Sequence, residues 1–328
     1  MKTGRKVFLI VLLISLFAFS VFAAGGKGEA AAGAPQFTVY AVVHGGIADP
    51  YWKMVEKGMK DAAALVPELK LIYTGPDAFA FEQFMAMLEA AIAAQPDGLI
   101  ATMTNPPAMD DLLRRAISGG LPVIAVDSPD SRPTVEKIPY LSYVGEIPYE
   151  GGVLAAKEVL KDYKPKRAFY GNHQPGALNL VERGQGFIDI MQAAGVPVEA
   201  VDTTEDVVQA AEIMLAYVKA HPDTDTIFTG NMVRAEALVV RLEEEGIKPG
   251  QDVKISTFGL TTATMEMMEQ GKIDFSIDEQ PYMQGFLGVT FMFLHLKYGF
   301  TPPAEIPTLG LFPDDVSALK ELIDQGIR

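Results

Sequence analysis

The sequence contains no cysteine among its 328 residues. Disulfides, thiolate metal sites, cysteine nucleophiles and lipid attachment through an N-terminal cysteine are therefore excluded. Basic residues are scarce as well, with 27 Lys and Arg against 42 Asp and Glu and a formal net charge of -15. Such a chain repels a phosphate backbone, so no nucleic-acid partner is predicted. A hydrophobic fraction of 49% with 21% charged residues is typical of globular proteins and excludes disordered and fibrous classes.

Motifs for catalysis and cofactor binding are also missing. The sequence has no G-x-x-x-x-G-K-[ST] phosphate loop, no G-x-S-x-G elbow, no H-E-x-x-H pair and no G-x-G-x-x-G after a strand. Its four histidines have no metal-ligand spacing. We therefore predict no cofactor, no metal site and no enzymatic activity. Gly184-Gln185-Gly186 falls inside a helical stretch, where its glycines are expected to allow close packing rather than to bind phosphate.

The N-terminal segment has the layout of a secretory signal peptide. Three basic residues precede an apolar run over residues 7–19, and small residues follow near Ala23. We predict a signal peptide over residues 1–23 and a flexible Gly/Ala-rich linker over residues 24–35. The rest of the chain is then exported to the periplasm. An uncleaved N-terminal anchor is the alternative.

Short β-branched runs alternate with amphipathic helical stretches from Gln36 onward. This alternation predicts parallel strands joined by crossover helices. The predicted strands are residues 37–43, 69–74, 98–102, 122–126, 140–144, 168–170, 198–201, 226–229, 253–257 and 275–277. Helices are expected after the first three strands and between the later ones, with one near residues 149–161 and a last one near residues 316–325. The predicted class is α/β.

The second half of the chain repeats the first. In each half a strand is followed by a His-containing Gly/Pro loop, at His44 or His173, and then by a long helix. We therefore predict two similar Rossmann-like lobes with parallel sheets. In the first half, Asp49-Pro50 is suited to begin the helix, and Trp52 falls on the apolar face of that helix. Core packing is therefore the alternative to a ligand-binding role for Trp52.

Six short motifs follow one another along the chain in a fixed order. They are Asp49-Pro50-Tyr51-Trp52, Asn105-Pro106, Val123-Ile124-Ala125-Val126-Asp127, E-R-G-Q-G-F at residues 182–187, Asn231, and I-D-E-Q-P-Y-M-Q-G at residues 277–285. In this order they resemble the ribose-type periplasmic sugar-binding proteins of ABC transporters, in the type I periplasmic binding protein family. The last motif is similar to the I-D-Q-Q-P-Y-x-Q-G stretch of one sugar-binding subgroup. The resemblance covers nearly all of the exported chain.

The resemblance implies two lobes joined by three crossovers, with the ligand in the cleft between them. This agrees with the rule that ligands bind at the carboxyl ends of the strands in open α/β sheets. Carried over by position, the ligand contacts are Asp49, Tyr51, Trp52, Asn105 and Asp127 from the first lobe and Asn231, Phe258 and Glu279 from the second. We add His44 and His173, because each follows the first strand of its lobe; a purely structural role in the loop is the alternative. The expected lobes are residues 36–146 with 280–304 and residues 147–279 with 305–328.

The chain also departs from the ribose-type pattern. Residues that relatives commonly have as Arg, Arg, Asp and Asp-Asn are here Ser128, Val181, Gly259 and Ile147-Pro148. Ribose itself is therefore not the expected ligand. The expected cleft holds the carboxylates of Asp49, Asp127 and Glu279 with little basic compensation, which favours a neutral sugar or polyol, or an amino sugar, over an acidic sugar.

The resemblance implies a monomeric solute-binding protein that captures a sugar or polyol and delivers it to an ABC permease in the inner membrane. Two other functions stay open. One is a ligand-sensing module for a membrane receptor, and the other is an exported carbohydrate-active enzyme built on Asp127 and Glu279. Replacing Trp52 or Asp127 with alanine is expected to abolish ligand binding with little loss of folding.

Overall fold

The structure is a computed structural model that describes residues 35–300 and 309–327. The predicted signal peptide and nearly all of the predicted linker lie outside the described residues. The strands are β1 Phe37–Val42, β2 Leu69–Thr74, β3 Gly98–Ala101, β4 Val123–Val126, β5 Ser142–Val144, β6 Ala168–Asn172, β7 Val198–Asp202, β8 Thr226–Thr229, β9 Lys254–Phe258, β10 Phe275–Asp278 and β11 Leu309–Leu311. The helices are α1 Pro50–Ala64, α2 Phe81–Ala93, α3 Pro106–Ser118, α4 Pro148–Asp162, α5 Leu178–Ala193, α6 Val207–Ala220, α7 Met232–Glu244, α8 Thr262–Glu269, α9 Pro281–Tyr298 and α10 Val316–Asp324.

The first five strands form one parallel sheet in the order β2-β1-β3-β4-β5. Successive side chains of a strand point to opposite faces, and both faces here are covered by helices. On β4, Ile124 and Val126 pack in the layer that contains α1 and α9, while Val123 and Ala125 pack in the layer that contains α2 and α3. The central strands β3 and β4 are continuously apolar because neither face meets water, whereas the edge strand β2 carries the exposed Lys70.

The later strands form a second sheet in the order β11-β10-β9-β8-β6-β7. All of its pairs are parallel except β10 with β11, which is antiparallel. Strand β11 was not predicted. Its three residues, Leu309–Leu311, include a central glycine and are too few to show an alternating pattern, so the strand depends on pairing with the edge of β10. The predicted α/β class and two parallel-sheet lobes are confirmed.

In the described part, the chain passes between the sheets once in each direction, each time between a strand and the helix that follows it. It leaves the first sheet after β5, and α4 then packs on α5 beside the second sheet. It leaves the second sheet after β10, and α9 then packs on α1, β3 and β4 of the first. The return from α9 to β11 runs through residues 301–308, which are outside the described part. Every described helix is too short or too polar to span a bilayer.

Glycines allow two helix pairs to approach closely. A Cβ atom on Gly58 of α1 would overlap the carbonyl group of Tyr282 on α9, and one on Gly186 of α5 would overlap that of Tyr149 on α4. Gly184 faces the ring of Tyr170 at a distance that also leaves no room for a side chain. The predicted close packing of the Gly184-Gln185-Gly186 motif is therefore confirmed.

Replacing Gly58 with alanine is expected to lower the free energy of unfolding by about 1–3 kcal/mol, because the added methyl group must push α1 away from α9. Denaturant unfolding measures this loss. Gly176 provides the control, since a Cβ there would lie 3.7 Å from the ring of Phe79, an ordinary contact. Equal stability of the Gly58→Ala protein and the native protein would contradict this close approach.

Candidate functional site

The loops that follow the strands of the first lobe place polar groups at one edge of its sheet. His44 lies two residues after β1, and its backbone N–H donates to Thr102 Oγ1 over 3.1 Å. Asp49 caps α1, because its Oδ1 accepts the N–H of Tyr51 over 2.9 Å and Pro50 suits the first helical turn. The sequence therefore orients the first residues of α1 toward the carboxyl ends of the strands.

Asp127 follows β4 in a strained backbone conformation. Its φ of 63° lies in the left-handed region, which side chains with a Cβ rarely adopt. Tyr51 Oη donates to Asp127 Oδ1 over 2.6 Å, and Ser128 Oγ donates to Asp127 Oδ2 over 2.7 Å. Strain of this kind is found mainly at functional sites, where the surrounding contacts hold it.

The second lobe presents equivalent positions. His173 follows β6, as His44 follows β1. Asn231 caps α7 by accepting the N–H of Val233 over 2.9 Å, as Asp49 caps α1. Phe258 ends β9 and Glu279 follows β10. Each lobe thus brings a histidine, a helix cap and an acidic residue to the carboxyl edge of its sheet.

These groups meet at a cavity of about 50 Å³ between the lobes. Nine of the ten predicted site residues line it: His44, Asp49, Tyr51, Trp52, Asp127, His173, Asn231, Phe258 and Glu279. Asn105 does not. It caps α3 by accepting the N–H of Ala108 over 3.5 Å, so its place after a strand serves the helix rather than the cavity.

The two lobes also bond to each other around the cavity. Asp49 Oδ2 accepts from Asn231 Nδ2 and from Arg234 Nη1, both over 3.3 Å. At the rim, the N–H of Leu178 donates to the carbonyl of Thr104 over 2.9 Å, and Ser131 Oγ donates to Glu182 Oε2 over 2.7 Å. The structure therefore shows the cleft in a closed form.

A buried arginine corrects the expected charge of the cleft. Arg183 on α5 donates to Glu279 Oε2 over 2.8 Å and also to Glu146, and its guanidinium carbon lies 3.6 Å from the centre of the Phe258 ring. With Arg234 also buried, the predicted lack of basic compensation is wrong. One face of Phe258 is covered by Arg183, so the ring supports the guanidinium from that side.

Burial controls the ionisation of the site. It raises the pKa of Glu279 well above its usual value and raises that of Glu146, although Arg183 opposes both effects. Burial also lowers the pKa of His44, and it lowers the pKa of His173 further because Arg234 and Arg183 add positive charge nearby. Both imidazoles are therefore neutral near pH 7, and each offers one N–H donor and one acceptor nitrogen.

Comparison with known proteins assigns the family. The model of the periplasmic binding protein domain matches residues 40–299. This chain belongs to the periplasmic binding protein family. The family expected from the six motifs is thereby confirmed.

Three relatives illustrate the match. The xylose/arabinose-binding protein XylF of Sulfolobus acidocaldarius is 26% identical over 257 residues, which cover 76% of this chain and 63% of that protein's length. A periplasmic sugar-binding protein of an ABC sugar transporter from Legionella pneumophila is 27% identical, with a TM-score of 0.75 over 82% of this chain and 98% of that one. A carbohydrate transporter from Acidothermus cellulolyticus 11B, solved with myo-inositol, has the same fold at 21% identity, with a TM-score of 0.81 over 90% and 100% of the two chains.

Arg183 and Glu146 were not among the predicted site residues of this periplasmic binding protein. A repeated sequence pattern nevertheless marks the two glutamates that bind Arg183. The pattern E-x-P-Y-x-x-G occurs twice, at residues 146–152 and 279–285. In both copies the glutamate lies where the chain passes between lobes and the proline begins the next helix. The two glutamates meet at Arg183. The repeat thus marks both described crossovers and the ion cluster that joins them.

Trp52 of this periplasmic binding protein belongs both to the core of the first lobe and to the lining of the cavity. It packs in the core of the first lobe with 5% of its surface exposed, and the indole covers Gly45 so closely that no side chain fits there. It also lines the cavity, where the centre of the His44 ring lies 5.1 Å away in an edge-on arrangement. A substitution here therefore affects the fold as well as the site, contrary to the expectation of little loss of folding.

Proposed function

We propose that this periplasmic binding protein captures a sugar or polyol in the interlobe cavity and delivers it to an ABC permease in the inner membrane. The observation that carries the proposal is that both lobes direct buried hydrogen-bonding side chains into one cavity between them. The names of the relatives support the ligand class, since they mention xylose, arabinose and myo-inositol, all polyhydroxylated molecules.

The chemistry of the lining suits hydroxyl groups. Carboxylates accept hydrogen bonds from hydroxyls, while guanidinium N–H groups donate to their oxygens. In the described part of the chain, Arg183 Nε and Asn179 Oδ1 are buried without a hydrogen-bond partner, and both residues line the cavity. A buried donor and a buried acceptor left free at a cavity are groups that a ligand hydroxyl can satisfy.

Closure is the proposed signal to the permease. A ligand that touches both lobes binds the closed form more tightly than the open form, so it shifts the population toward closure. The bonds from Asp49 to Asn231 and Arg234 form only when the lobes meet, so they add to the stability of the closed form.

The remaining parts of the proposal concern the whole protein. We propose lobes of residues 36–146 with 280–304 and of residues 147–279 with 305–328, export by a signal peptide over residues 1–23, and a monomer in the periplasm. No reaction is assigned to Asp127 or Glu279. Release of product from any glycoside by the purified protein would contradict this part of the proposal.

Ligand binding is expected to raise the melting temperature of the purified protein and to reduce its radius of gyration in X-ray scattering. A ligand that binds only the folded state at about 100 times its Kd adds about 2.7 kcal/mol to the free energy of unfolding. The first panel is D-xylose, L-arabinose, D-galactose and myo-inositol with their amino derivatives. If no member changes either quantity, the proposed ligand class is wrong.

A further inference from the structure

Asp127 is a buried carboxylate whose close partners are neutral. Only 5% of its surface is exposed. Its two oxygens accept from the hydroxyls of Tyr51 and Ser128, and no lysine or arginine of the described residues forms an ion pair with it. Buried charges in proteins are usually paired, because removing an ion from water is costly. The negative charge at this point of the cavity therefore lacks a complement from the protein.

His44 places a second acceptor beside Asp127. Its Nδ1 is buried without a hydrogen-bond partner and lies 4.0 Å from Asp127 Oδ2. Burial lowers the pKa of His44, while Asp127 and a hydrogen bond with Gln174 oppose that effect. When the proton of the neutral imidazole is on Nε2, Nδ1 carries the lone pair and is a hydrogen-bond acceptor. Two acceptors thus stand close together with no donor between them.

The other carboxylates around the cavity share the two guanidinium groups. Glu146 and Glu279 share Arg183. Asp49 and Glu205 share Arg234, with N–O distances of 3.3 Å to Asp49 and 2.9 Å to Glu205. Asp127 is the fifth carboxylate, and its nearest basic neighbour is the neutral imidazole of His44, 4.0 Å away. The cleft therefore has more carboxylates than guanidinium groups, and Asp127 has no arginine partner among the described residues.

We propose that the ligand of this protein carries a primary amine, and that Asp127 and His44 bind its ammonium group. A hydroxyl has a single proton to donate, whereas an ammonium group has three and can satisfy both acceptors while it pairs with the carboxylate. The proposal rests on the proposed function and narrows its ligand class to amino sugars and amino-substituted polyols.

Isothermal titration calorimetry of matched ligands tests the proposal. The pairs are D-galactosamine with D-galactose, D-glucosamine with D-glucose, and amino-inositol with myo-inositol, at about pH 6.5, where amines of ordinary basicity are protonated. We expect at least one amine to bind about tenfold or more tightly than its neutral partner. The N-acetylated sugars are expected to lose this gain, because acetylation removes the charge.

Asp127→Asn and Asp206→Asn form a matched pair of variants. Each removes one negative charge, but Asp206 is an exposed cap of α6 outside the cavity, and asparagine also caps helices. Asp127→Asn is expected to abolish the preference for the amine, and Asp206→Asn to preserve it.

The outcomes separate the two proposals. Equal affinity for amine and neutral ligand, or tighter binding of the neutral one, overturns the amine assignment and leaves the proposed function standing. An amine preference that survives Asp127→Asn overturns the role of Asp127. No binding of any sugar or polyol in the panel overturns the proposed function itself.

Discussion

Replacing Arg183 with methionine is expected to lower the free energy of unfolding by about 3–5 kcal/mol at pH 8, the loss typical of removing one member of a buried ion cluster. Methionine has a similar length but leaves Glu146 and Glu279 buried without a cation. The two glutamates come from the two described crossovers, so their repulsion acts where the lobes are joined. Urea unfolding followed by circular dichroism measures the change.

The same variant is expected to regain part of its stability as the pH falls. Without Arg183, the attraction that opposes the effect of burial is lost, so the pKa values of both glutamates rise further above the usual value of 4.5. A carboxyl group with a raised pKa in the folded state binds its proton more tightly when folded, so stability increases as the pH falls through that pKa toward 4.5. Unfolding at pH 8 and at about pH 5.5 tests this sign.

Two further variants serve as controls for Arg183→Met. Arg167 pairs with Asp223 at the surface, and Arg167→Met is expected to cause no resolvable change. Adding Glu146→Gln and Glu279→Gln to Arg183→Met is expected to recover most of the lost stability, because neutral amides replace the uncompensated charges. If the loss is the same at both pH values and persists in the triple variant, it arises from packing rather than from charge.

Replacing Trp52 with alanine is expected to lower the free energy of unfolding by about 3–5 kcal/mol and to abolish ligand binding. The indole lies in the core of the first lobe, so its removal leaves a large cavity under the site. It also packs edge-on against His44 and Tyr51, with ring centres 5.1 Å away in both cases, and Tyr51 in turn holds Asp127.

Denaturant unfolding and calorimetry of the same preparations separate the two effects of Trp52→Ala. Trp52→Phe is expected to keep most of the stability while weakening binding, because a smaller ring still fills part of the space. Tyr298→Ala is the control, since that ring is 55% exposed and lies on the last turn of α9. Native stability of Trp52→Ala would show that the indole does not support the core.

Most of the fold follows from patterns that are local along the chain. The buried strands are short apolar runs and the helices have one apolar face, so periodicity locates both within about one or two residues of their bounds. Strand β11 is the exception among the described elements. It has no pattern of its own, because its formation depends on the free edge of β10, a partner more than thirty residues away in the sequence.

Nine predicted residues line the cavity because each lies at the carboxyl end of a parallel strand, in the loop after it, or in the cap or first turn of the helix that follows. The same rule fails for Asn105, which follows β3 but turns toward the first turn of α3. Position in a loop therefore places a residue at the edge of the sheet, while the direction of its side chain depends on the neighbouring helix.

The sequence by itself determined the alternation of strands and helices, the division into two similar halves and the family, since these depend on local spacing and on motifs in order. Only the tertiary structure decided which charges meet. Arg183 bonds to Glu146, 37 residues away, and to Glu279, 96 residues away, because the two crossovers in the described part of the chain both lie beside α5. No local pattern specifies such contacts, since they arise from the packing of distant segments into one interior.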